Sequence, residues 1–80
     1  MSADRLAQLV IKDDGFLFEP TTGDTYVANP TALVVLRTLQ DDGDENMAVE
    51  RLLQRFDVAE HEARRDAADL CERLRSWQLL

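Results

Sequence analysis

Few side chains in this sequence could start a chemical step: one histidine, His61, in the run EHE, and one cysteine, Cys71, four residues before Arg75. Acid–base or nucleophilic catalysis needs such groups to converge in a cleft with a partner that orients them. His61 has only Glu60 and Glu62 beside it, and its ordinary explanation is an exposed residue near a helix start. Cys71 could be activated by Arg75, but a small, half-buried helical residue is the simpler role. No glycine-rich phosphate loop, HExxH run or cysteine pair is present. One Cys and one His neither close a disulfide nor build a zinc site without many carboxylates. The expectation is a protein that is not an enzyme and uses no cofactor or metal.

The elements that would position these groups must come from a short chain. Eighty residues make one small domain with a thin core, near the lower size at which a fold holds without disulfides or metal. The longest apolar run, Ala32 to Leu36, is far too short to span a bilayer, and MSADRLAQLV lacks the basic-then-apolar order of a secretory signal. A cytoplasmic protein that does not contact membranes is expected. The net charge of −7 is concentrated in residues 1–50, where ten acids face three bases, whereas residues 51–80 balance. A phosphate backbone would be repelled by the first half and weakly attracted by the second, so no nucleic-acid partner is expected.

LAQLVI reads as a first strand, and KDDG after it as a turn. FLFE alternates, with Phe16 and Phe18 on one face and Leu17 and Glu19 on the other. PTTGD is a second turn and TYVA a third strand, giving an antiparallel meander that needs a helical layer to be stable. Asn29 and Pro30 suit the N-cap and first position of a helix whose apolar face is Ala32, Leu33, Leu36 and Leu39 or Gln40, stopped by DDGD. Asp44 or Asn46 caps a second helix with Val49, Leu52, Leu53 and Phe56 inward. Asp57 and Glu60 are spaced like a capping box for the last helix, whose core stripe is Ala63, Ala67, Leu70, Leu74 and Trp77. Beside it, rotated by about 100°, runs a second stripe, Arg64, Ala68, Cys71 and Arg75. The predicted fold is α+β, in the order βββααα, with strands at about 6–12, 16–20 and 24–28 and helices at about 30–41, 45–56 and 59–77.

Helices two and three with a hairpin could form a DNA-binding winged helix. The end that would read bases, however, is AEHEARRDA, where acids surround the arginine pair. The third strand is more informative, because TYVA has none of the usual devices that protect an exposed sheet edge. Either another element covers it, or a partner peptide pairs with it by strand addition. The second stripe would then wall the groove, with Ala68 and Cys71 leaving room for peptide side chains and Arg64 and Arg75 holding carboxylates. A purely structural subunit, with the edge covered by another copy of itself, is the remaining alternative.

GFLFEPTTGDTYVANPTA, followed by a Leu/Val-rich helix, an acidic-Gly break, VERLLQRFDV and EARRDAADLCERLRSWQLL, resembles the PqqD family of peptide chaperones, also called recognition elements for ribosomally made, modified peptides. The resemblance runs from about Leu6 to Leu80 and is sharpest at Pro20 to Asn29 and at the closing LRSWQLL. The chain looks most like the short stand-alone branch found beside an HPr-kinase-related protein and a small HPr-related peptide. The resemblance implies a winged helix-turn-helix-like fold, a three-stranded antiparallel sheet followed by a three-helix bundle. It implies a monomer or weak dimer that captures the leader segment of a precursor peptide as an added strand and presents it to a modifying enzyme. The peptide-binding residues it implies are Thr25, Tyr26, Val27 and Ala28 on the edge and Arg64, Ala68, Cys71 and Arg75 on the helix. Ala59 stands where the family often has a capping Asp or Ser, so the start of the last helix is not fixed by the resemblance.

Overall fold

The computed structural model describes residues 2–41 and 43–80; Asp42, part of the predicted helix stop, and Met1 lie outside them. The chain opens with a helix, α1 (Ser2–Gln8), and then forms three strands, β1 (Val10–Ile11), β2 (Phe16–Phe18) and β3 (Thr25–Val27). Three helices follow: α2 (Pro30–Gln40), α3 (Glu45–Arg55) and α4 (Glu60–Ser76). The sheet is antiparallel in the order β1-β2-β3. The α+β fold of a three-stranded sheet and three following helices is therefore present, with every strand shorter than its sequence pattern.

The N-terminus corrects the prediction of a strand from residue 6. Leu6 and Leu9, three apart, are both buried on one side, and Leu9 N–H donates to Leu6 O at 3.1 Å, the geometry of a helix end. A short apolar run fits either element, and here burial of the i, i+3 pair selects the helix. The Gln40 side chain donates to the carbonyls of Leu6 and Leu9 at 3.1 and 2.6 Å, satisfying acceptors that α1 leaves open.

The helix starts follow their caps. Asn29 accepts from Ala32 N–H at 2.8 Å with Pro30 at the first helical position, and Asp44 accepts from Met47 N–H at 2.9 Å. At α4 the cap position is Ala59, which has no side-chain acceptor, so the Asp57/Glu60 capping box does not form. The predicted apolar face of α2 is out of phase: Val34, Val35, Leu36 and Thr38 are buried, while Ala32, Leu33 and Leu39 are half-buried. The cause is that α2 lies between two apolar clusters. Val34 and Val35 join Val49, Leu52, Ala63 and Ala67, whereas Leu36 joins Leu6, Leu17, Leu74 and Leu79. A helix covered from two sides has no single stripe.

Two turns place β3. Gly15 has φ +93°, and a Cβ there would lie 2.3 Å from the Ala28 carbonyl oxygen, so the first hairpin can close on the end of β3 only with glycine. The second hairpin is held by Glu19, whose side chain is fully buried on the inner face with Leu17, while Phe16 and Phe18 remain exposed on the outer one. Its carboxylate accepts from Thr21 N–H at 3.2 Å and Thr22 N–H at 3.0 Å and lies 3.4 Å from Arg5. Burial by itself raises the carboxyl pKa; the Thr21 and Thr22 main chains and hydroxyls outweigh that and hold it below the ordinary glutamate range.

Candidate functional site

The outer edge of β3 carries the main-chain groups that could bind. Ala28 N–H donates to Gly15 O at 2.8 Å and Glu19 N–H to Asp24 O at 2.9 Å. Leu17 faces Tyr26 midway between these pairs. Bonded and non-bonded pairs alternate along an antiparallel ladder. Tyr26 and Ala28 thus turn their main-chain groups toward β2, and Thr25 and Val27 turn theirs to the open side. Val27 is 83% exposed.

Side-chain direction makes a groove of this edge. Tyr26 points inward, half-buried, and stacks on Trp77 with ring centroids 4.8 Å apart and planes 24° from parallel. Trp77 is held there by the end of α4. Gln78 adopts a positive φ of 61°, Leu79 N–H returns to Leu74 O at 2.8 Å, and Gln78 N–H bonds Arg75 O at 3.0 Å. This is the double hydrogen bond of a Schellman cap, with Leu79 packing into the same cluster as Leu74. The closing SWQLL thus folds back against the sheet and sets the aromatic pair. Between β3 and α4 lies a cavity of about 120 Å³, lined by Tyr26, Val27, Leu70, Arg73, Leu74 and Trp77 among others. A second, of about 210 Å³, continues past Asn29 and Thr31 to Asp66 and Asp69 and shares Leu70 and Arg73. Arg73 makes no ion pair among the described residues.

Of the predicted edge, Tyr26, Val27 and Ala28 line this groove and Thr25 presents main-chain groups beside it. The four residues predicted for the helical wall are not brought there. Arg64 donates to Glu60 at 3.0 Å and to Asn46 of α3 at 3.2 Å, and Cys71 is buried on the side of Glu45, so this stripe faces the start of α3. Ala68 and Arg75 are exposed on the same stripe. The wall is instead Leu70, Arg73 and Trp77, on the other flank of the core stripe. Periodicity gives the angle between two stripes but not on which side of the core the sheet lies. The available signal was the core stripe's ending on a tryptophan in the last turn, since an indole there needs an aromatic or apolar partner outside the bundle.

Burial pushes the Cys71 thiol up to about 11, reinforced by the hydrogen bond to Glu45 and its charge and opposed by Arg75. The neutral thiol is favoured at neutral pH, and its burial keeps it from reagents. His61 is exposed, and no three potential ligands cluster for a metal among the described residues. No helix among them is long and apolar enough to cross a membrane.

The profile of the family described as coenzyme PQQ synthesis protein D (PqqD) matches residues 14–80. The chain belongs to the PqqD family. The matched span begins in the turn between β1 and β2 and includes β2, β3 and the three following helices, leaving α1 and β1 outside it. Among solved structures, a lasso peptide synthetase B1 complexed with its leader peptide is similar, with TM-score 0.70 and 25% identity over 85% of this chain and 81% of that one. No curated protein matches the chain. The PqqD-like fold is thus shared at the level of both sequence profile and backbone.

Proposed function

We propose that this PqqD-family chain, residues 1–80 acting as one domain, binds an extended peptide by adding it as a fourth strand to β3. The observation that carries the reading is the open main-chain edge at Thr25 and Val27 running beside an aromatic-lined groove. The similar lasso peptide synthetase B1, complexed with a leader peptide, supports it. The ligand is then the leader segment of a ribosomally made precursor, and the protein presents it to a modifying enzyme without catalysing a step itself. Main-chain bonds to Thr25 and Val27 supply affinity, and alternate peptide side chains enter the groove between Tyr26, Leu70, Arg73 and Trp77. Arg64, Ala68, Cys71 and Arg75 are not assigned to the ligand. The stand-alone HPr-related branch rests on the sequence resemblance alone, and a cytoplasmic monomer or weak dimer is the form in which we expect it to act.

The test is an amide NMR titration with short peptides encoded beside the gene. The expected result is shifts confined to Thr25–Ala28, Arg73 and Trp77. Shifts at residues 59–65 with duplex DNA, and none with any neighbouring peptide, would replace this reading with a winged-helix DNA-binding one.

A further inference from the structure

On the far side of α2 from the peptide groove, the β1–β2 hairpin, α2 and α3 enclose a cleft of about 480 Å³. Its apolar surface comes from Leu33, Val34 and Phe56, and it shares only Ala28 with the groove at β3. Three arginines reach it. Arg37 is taken by Asp13. Arg51 is half-buried, and its one side-chain acceptor among the described residues is the Thr38 hydroxyl at 3.1 Å, which itself donates to Val34 O at 2.8 Å. A guanidinium carries five donors, so a single neutral acceptor leaves most of its capacity turned to the cleft. Arg55, one turn along the same face of α3, has no ion pair among the described residues. Two like charges at i, i+4 repel each other, and an anion set between them removes that repulsion.

Asp14 and Asp41 also line the cleft, so its three arginines meet three aspartates. Against a balanced lining a dianion such as phosphate leaves two uncompensated charges, twice what a monoanion leaves. It accepts one carboxylate in the fork between Arg51 and Arg55, where paired N–H donors match a planar anion. The apolar walls then require that the carboxylate be carried on an apolar body. The geometry points to a second binding site in this cleft for a monoanionic carboxylate attached to an aliphatic or aromatic group. That chemistry belongs both to a small carboxylic acid and to an acidic residue beside a large apolar one in a partner's segment. The site does not depend on the peptide reading of the β3 groove.

The test is titration of the labelled protein, followed at backbone amides and arginine Nε–H groups, with isocaproate, acetate, inorganic phosphate and the capped dipeptide acetyl-Leu-Glu-amide at matched ionic strength. Isocaproate is expected to shift Arg51, Arg55, Leu33 and Phe56 saturably while Tyr26 and Trp77 stay in place, with acetate about tenfold weaker. Arg55→Met, a change at an exposed position, is expected to weaken isocaproate about tenfold. Tighter binding of the dipeptide assigns the site to a partner segment, and tighter binding of isocaproate assigns it to a small acid. Absence of saturable shifts with both, or equal binding of phosphate and isocaproate, would overturn the assignment.

Discussion

Replacing Val27 with proline removes one N–H from the open edge of β3 and little else. That N–H makes no bond to β2, since the alternation of the ladder directs it outward. The side chain is 83% exposed, so no core contact is lost. Proline is tolerated on an edge whose N–H faces solvent, and Tyr26 before it is already extended, as a residue preceding proline must be. The change to folding stability should stay within about 1 kcal/mol, the span of strand propensities. Peptide binding responds differently. A peptide carbonyl that approaches Val27 finds no donor and is left desolvated, which costs about 1–3 kcal/mol. The dissociation constant should therefore rise by about fivefold to about 150-fold. Val27→Thr keeps the N–H and should bind within about twofold of the native protein. Calorimetric titration of both variants with whichever neighbouring peptide binds the native chain measures the effect, and a urea midpoint confirms the fold. A folded Val27→Pro protein with an unchanged dissociation constant would falsify strand addition, whatever the groove side chains contribute.

Three further outcomes follow from the same geometry. Glu19→Gln should lower the urea midpoint at neutral pH. Because the folded carboxyl lies below the ordinary value of 4.5, its contribution is present above that value and is lost as pH falls through the folded one. The native protein should lose stability in that acidic window more steeply than the variant. Cys71 should resist alkylation at pH 8 in the folded protein, its thiol being pushed up to about 11 by burial first and Glu45 second, and should react fully in denaturant. Gln78→Gly should raise the folding stability by about 0.5 kcal/mol, seen as a slightly higher urea midpoint, because the left-handed conformation at this cap costs a side chain more than glycine loses in chain entropy.

The residues that spoke clearly in the sequence were those with local partners. Asn29 and Pro30 mark a helix start because the acceptor and the missing donor act within one turn, and of the two candidate caps Asp44 and Asn46 the structure uses Asp44. The turns at Gly15 and Gly23 were legible because positive φ is a property of the residue itself. Other features depend on what comes to lie against them. LAQ became the end of α1 because Leu6 and Leu9 bury together, and α2 lost its stripe because two clusters cover it. Alternation puts Glu19 on the face of Leu17, and its burial there depends on donors from the backbone of the Thr21–Thr22 turn, which the alternation does not show. TYVA lacks protective residues, and the outer side of β3 is left without a neighbouring strand among the described residues. The stripe Arg64, Ala68, Cys71 and Arg75 meets the start of α3 and does not line the cavity beside β3, since the side of α4 that meets the sheet is set by the handedness of packing.

The stack of Tyr26 on Trp77 joins the only tyrosine and the only tryptophan of the chain at the mouth of the groove. An excited indole relaxes with the polarity around it, so its emission shortens in wavelength as water is excluded. A phenol in contact with it transfers excitation or quenches according to how the rings lie. Trp77 is 40% exposed and therefore still half in water. The protein thus carries an intrinsic optical probe at one place only. A ligand that entered that groove would change its colour, whereas one bound on the far side of α2 would leave it unchanged.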